Sequence, residues 1–176
     1  MKKMYLFFLL CAGLAACHPQ KQEIPEQVIG LAPVYAVGDW QAVRVSEPQP
    51  IRELGKMYYK DGFIFAGERG KGIHIIDNRD PANPKRVRFV EIAGNTDVAI
   101  KGNLLYANNL QDLLVFDIAN LDNIRLVNRR QNVFPQVISG GNHPEGYRGF
   151  FECVDPQQGV VVYWEERLLQ SPQCWR

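Results

Sequence analysis

The residues best placed by type and spacing for chemistry lie in "KGIHIIDNRDPANP", residues 71–84, which holds His74, Asp77 and Asp80. A histidine beside two carboxylates can serve as a general acid–base pair or a metal site. The spacing argues against both. His74 alternates with Ile73 and Ile75, so on a strand it faces away from them. Asp77 ends the apolar run, where a carboxylate can accept backbone N–H bonds two residues on. Pro81 and Pro84 stand where a calcium loop needs flexible carbonyls, and no Glu closes the stretch. Asp77 is expected to cap a turn.

Other groupings are poorer. His18, His74 and His143 are scattered, with no H-x-x-x-H spacing for zinc. The hydroxyls Ser46, Thr96, Ser139 and Ser171 lie outside G-x-S-x-G settings. Glu165 and Glu166 are adjacent, so on a strand they face opposite ways. Arg129, Arg130, Lys85, Arg86 and Arg88 read as solvated strand ends. No catalytic residue, metal or cofactor is expected. One Gly-rich loop, "SGGNHPEGYRG" at 139–149, carries His143, Glu145, Tyr147 and Arg148 and is the first candidate for a ligand site. Phosphate loops of that composition usually lead into a helix, and none is evident here. The alternative is a plain connection between sheets.

The elements that must position these residues are strands. "KMYYKDGFIFAGE" contains two aromatic and β-branched runs split by Asp61-Gly62, a hairpin signal. "GIHIID" is a short apolar strand, and "KRVRFVEI" alternates charged and apolar residues. No useful length shows a 3.6-residue apolar period, so the fold class is all-β. Two stretches correspond. Lys60, Phe63, Phe65 and Ala66 match Lys101, Leu104, Tyr106 and Ala107; Ile73, Ile75 and Asp77 match Leu113, Val115 and Asp117. The offset of about 40 residues is typical of four-stranded units in propellers. His74 falls opposite Leu114, which has no comparable chemistry. Units are expected at about 55–95 and 96–134, with a degenerate third at 135–176 holding two strands around an Asp-Pro turn.

These units, with their strands "IHIID" and "LLVFD", resemble LVIVD repeats of bacterial lipoproteins. The resemblance covers about half of the chain beyond residue 16 and implies a β-propeller-like architecture without assigning a biochemical role. The chain is short for a closed ring, which typically takes four or more blades. An open or partial propeller of about three sheets is expected, with edges that invite a protein partner or self-association. The aromatics Tyr58, Phe63, Phe65, Tyr106, Phe116, Phe151 and Tyr163 are expected in the core. Trp40, Trp164 and Trp175 lie outside the repeat frame, and one is a candidate exposed contact.

The N-terminus reads "MKKMYLFFLLCAGLAAC": two lysines, an apolar run, then small residues before Cys17. This has signal-peptide form, and "LAAC" resembles the lipobox of bacterial lipoproteins. That resemblance implies residues 1–16 as a signal peptide, cleavage before Cys17, and acyl chains on Cys17. Two or more chains hold a membrane stably, whereas one does so marginally. Residues 17–33, with three Pro and no aromatic residue, read as a lipidated Cys and flexible tether ahead of a β domain at 34–176. His18 rather than Asp follows Cys17, which by analogy favours the outer membrane over the inner.

Loss of Lys2 and Lys3 with the signal takes Lys+Arg from 20 to 18 against 19 Asp+Glu. The near-neutral balance and the envelope address exclude nucleic acid as a partner. Cys11 leaves with the signal, so Cys153 and Cys174 remain in an oxidising compartment and are expected to pair. The function these features favour is a non-catalytic, lipid-anchored envelope module for binding or assembly. The alternative is a small envelope hydrolase using the 139–149 loop with Glu152 or Glu165. A third possibility is a shortened repeat protein that works only beside a partner.

Overall fold

The computed structural model describes residues 23–134, 144 and 146–176. Among them the chain is all-β: thirteen strands in three open sheets, one 3-10 turn at Pro156–Gln158, and no α-helix.

The middle sheet runs β2 (Val43–Ser46), β6 (Lys85–Ile92), β5 (Gly72–Asp77), β4 (Phe63–Glu68), β3 (Leu54–Lys60). A second sheet runs β10 (Arg125–Arg130), β9 (Asp112–Asp117), β8 (Leu104–Asn109), β7 (Val98–Lys101). These are the two expected repeats, and their registers coincide. Phe63 pairs with Asp77 as Leu104 pairs with Asp117, and Ala66 with His74 as Ala107 with Leu114. Left-handed turn residues recur too. Asp61 (φ 50°) and Gly62 (φ 82°) make the expected two-residue hairpin, and Gly102 (φ 58°) serves the equivalent turn.

The third sheet joins both ends of the described chain. Its order is β12 (Val161–Gln170), β1 (Gln27–Tyr35), β11 (Phe150–Phe151), β13 (Cys174–Trp175). This corrects two expectations. Residues 27–33 belong to β1 and not to a tether, because Val28, Ile29, Leu31 and Val34 supply enough β-forming apolar surface to pair along β12. The degenerate third unit is also not self-contained: β1 lies between β11 and β12, so the strands around the Asp155-Pro156 turn do not pair with each other. Gly30 permits this arrangement, since a Cβ there would sit 2.3 Å from Phe150 O. Pro33, which lacks an N–H, falls beyond the two residues of β11, where that side of the ladder has ended.

The main core lies between the middle and second sheets. Phe65, Ile73, Ile75, Val90 and Ile92 meet Val98, Ile100, Leu105, Leu114 and Phe116. Each such side chain contributes about 1.5–3 kcal/mol on burial. The third sheet buries Ala32, Phe151, Val161, Val162 and Leu169. Of the aromatics expected inside, Phe65, Phe116 and Phe151 are buried, Phe63, Tyr106 and Tyr163 half-buried, and Tyr58 exposed on edge strand β3. An edge strand has no neighbour on one side to cover it.

Candidate functional site

The stretch with His74, Asp77 and Asp80 divides into a turn and a buried pair. Asp77 Oδ1 accepts from Arg79 N at 3.1 Å, and Asp117 Oδ1 accepts from Ala119 N at 3.0 Å. The next positions match as well: Asp80 Oδ1 accepts from Ala82 N at 3.1 Å, and Asn120 Oδ1 from Asp122 N at 2.9 Å. Both turns are Asx turns, as expected for a structural aspartate. The Arg79 side chain, then its backbone N–H, hold the Asp77 carboxyl down at about 2. The Ala119 N–H, then Arg125, lower that of Asp117. Both carboxylates are committed to their turns.

His74 is fully buried, and its Nε2 lies 3.0 Å from Glu68 Oε2. Glu68 also accepts from Arg52 N at 3.2 Å and Glu53 N at 2.8 Å, and the Phe89 ring lies against the imidazole, tilted by 44° with centroids 4.6 Å apart. Burial works to raise the Glu68 carboxyl, but the Glu53, His74 and Arg52 donors outweigh it and leave it lowered. Glu68 stands in no chemical motif of the sequence. Its repeat counterpart, Asn109, is also buried, and its Nδ2 donates to Ala93 O at 2.7 Å and Trp40 O at 3.0 Å. A polar residue closing the same apolar strand in both repeats was the available signal.

Arg129 corrects a further expectation. It is not a solvated strand end: Nη1 donates to Asn109 Oδ1 at 2.8 Å and to Asp112 Oδ2 at 2.7 Å, and Nη2 to Gln41 O at 2.5 Å. Asp112 is buried, so the pairing keeps its charge satisfied.

The third and middle sheets, with the loop between β6 and β7, line a cleft of about 710 Å³. Leu31 and Val162–Trp164 form one wall; Gly55, Lys56, Gly67 and Arg69 form another; Gly94–Thr96 close the third side, with Pro144 between. Strand register builds the second wall. Leu54 pairs with Glu68 and Met57 with Ala66, so Gly55 and Lys56 together oppose Gly67 in a β-bulge. Lys56 Nζ lies 2.6 Å from Asp97 Oδ2, and Arg69 Nε lies 3.0 Å from Glu53 Oε1. Asn95 is locked by its amide: Nδ2 donates to Asp97 O and Asn108 O, each at 3.0 Å. Its Oδ1 is buried with no partner among the described residues, as is Nε1 of Trp164.

The 139–149 loop is described only in part. Cys17, His143 and Glu145 lie outside the described residues. Tyr147 and Arg148 line a separate cleft of about 670 Å³ with Gly146, Gly149, Trp175 and Arg176. Tyr147 Oη donates to Phe150 O at 3.3 Å. Trp175 is the exposed tryptophan of the three. Cys153 and Cys174 are joined, with Cα atoms 5.3 Å apart, so the bridge holds this cleft's floor strand β13 near β11. Glu165 pairs with Arg167, and Glu152 is exposed. Among the described residues no three His, Cys, Asp or Glu side chains cluster as for a metal. No family model, curated protein or solved structure matches the chain.

Proposed function

We propose that the chain is a lipid-anchored bacterial envelope protein, favouring the outer membrane, whose β domain is a non-catalytic binding module with propeller-like sheets. The observation that carries the binding half is the central cleft. The third and middle sheets wall it together with the loop between β6 and β7, and Gly55, Gly67 and Gly94 leave backbone along its lining. Two repeats of matched register support the propeller-like reading, as does the resemblance to LVIVD repeats. The pairing of the first described strand, β1, with β11 and β12 near the end of the chain supports it further, since a ring of sheets requires such a connection. The free edges of β2, β3, β7 and β10 are further places for a protein partner or a second copy. "LAAC" with Cys17 supports the anchor.

Three experiments test this. Wild-type protein should fractionate with membranes and a Cys17→Ser form should not; a Cys17→Ser form that stays membrane-bound contradicts the anchor. A photo-crosslinker placed at Lys56, on the rim of the cleft, should give a discrete adduct in intact envelopes. A measurable activity abolished by His143→Ala or Glu145→Ala in folded protein would overturn the non-catalytic reading.

A further inference from the structure

We propose that the β domain docks on the bilayer by the end of the third sheet where β1 begins, with the cross-strand pair Ile29–Leu168 immersed among the lipid headgroups. The proposal rests on the lipid-anchor reading. It adds that the membrane is a surface the domain itself contacts, in one orientation.

The register builds the surface. Ile29 pairs with Leu168 in the β1–β12 ladder, so both side chains leave the same face of the sheet. They are 61% and 55% exposed, although β1 is an inner strand. A solvated sheet face carries polar residues at such positions. The alternate pair, Val28–Leu169, points to the other face, where Leu169 is buried. Towards the chain's entry the next pair on the Ile29 face is Gln27–Gln170, which is uncharged, and Ile24 ahead of it is exposed. Exposed Trp175 reaches the same end on the far face, because Leu31 is level with Phe151 and Phe150 pairs with Trp175. Ile29 stands two residues, about 7 Å, above the start of β1. Interfacial apolar groups sit about 5–10 Å deep at the headgroup boundary, where tryptophan is enriched.

The position of the anchor selects a lipid surface over a protein partner. Ser171 N donates to Glu26 O at 2.9 Å, so the described chain enters the domain at this end of the sheet. Cys17 stands ten positions ahead of Gln27. An acylated Cys17 therefore holds the start of β1 within about 35 Å of the bilayer. At the high local concentration such a short link creates, contacts too weak to hold the protein alone are occupied. Charge is balanced here, Glu23 and Glu26 against Arg148 and Arg176, which suits a zwitterionic headgroup layer.

The test uses full-length lipidated protein in vesicles of equal parts phosphatidylcholine and phosphatidylethanolamine. A fluorophore is placed on one introduced cysteine, either Gln170→Cys or Val37→Cys. Val37 is fully exposed just past the other end of β1, about 30 Å away. A nitroxide on the lipid headgroups should quench the label at 170 and leave the label at 37 bright. Ile29→Glu with Leu168→Glu, at two exposed positions, should lower the docked-to-undocked ratio read at 170 by about tenfold or more. Vesicle flotation should stay at the wild-type level in that variant, because Cys17 is intact. Normal flotation with equal quenching at 170 and 37, or quenching at 170 that the double variant leaves unchanged, overturns the docking and leaves the anchor standing. Shielding of 170 from aqueous iodide without nitroxide quenching assigns the surface to a second copy and also overturns it. Wild-type protein that does not float with the vesicles removes the anchor reading and the docking together.

Discussion

Glu68 and His74 are diagonal neighbours on β4 and β5, joined at 3.0 Å on a face where neither meets solvent. The carboxylate also ties down the chain ahead of β3 through the N–H groups of Arg52 and Glu53. Glu68→Leu strands both N–H groups and the imidazole, and should destabilise by about 2–4 kcal/mol. His74→Leu installs the residue the second repeat uses at Leu114 and leaves Glu68 its backbone partners, so it should change stability by less than about 1 kcal/mol. Urea midpoints compare the two, and equal losses would refute this division of roles.

The same carboxylate predicts a pH dependence. Its folded pKa lies below the ordinary 4.5. Its contribution is therefore complete above that unfolded value and is lost as pH falls through the lowered folded one. The stability gap between wild type and Glu68→Gln should shrink from neutral pH to about pH 3. A constant gap would show that Glu68 does not titrate into folding.

Half-buried Arg129 pairs with buried Asp112 within the second sheet. Arg129→Met leaves Asp112 charged and buried, and should cost about 3–5 kcal/mol. Adding Asp112→Asn should recover part of it, since a neutral amide is cheaper to bury. Denaturant titration of the single and double variants decides; no recovery would mean that Arg129 acts chiefly through Gln41 and Asn109.

Leu110 occupies, at φ 51°, the turn position that Gly70 occupies at φ 70° in the first repeat. The left-handed backbone costs a leucine about 1–2 kcal/mol. Its side chain is buried against Gly94, a placement worth about 2–5 kcal/mol. Leu110→Gly should therefore be net destabilising by about 1–3 kcal/mol, and a thermal scan showing a more stable variant would reverse that weighing. Gly70 has no such freedom, because a Cβ there would sit 2.3 Å from the Tyr163 ring.

Reduction of Cys153–Cys174, which spans a sequence separation of 21, should cost about 3 kcal/mol and lower Tm by about 10 °C. Intact mass should rise by about two hydrogens on reduction. An unchanged mass would show the bridge absent in solution, and an unchanged Tm would show it carries no stability.

The sequence by itself determined what local pattern controls. Alternating apolar residues and the Asp61-Gly62 turn specify strands and a hairpin. The recurrence from Phe63–Asp77 to Leu104–Asp117 specifies two units of one register, because side-chain period and turn geometry act over a few residues. Asp77 and Asp117 as turn caps were legible for the same reason. Only the tertiary structure decided the rest. Whether residues 27–33 are tether or strand depends on a partner, β12, that lies more than a hundred residues away. Whether Arg129 is solvated depends on the loop at Gln41 and on Asp112. The cleft exists because the third and middle sheets meet, and no local spacing records that meeting. Chain order encodes neighbours along a strand; which polar atoms find partners is decided only when long-range packing brings distant strands together.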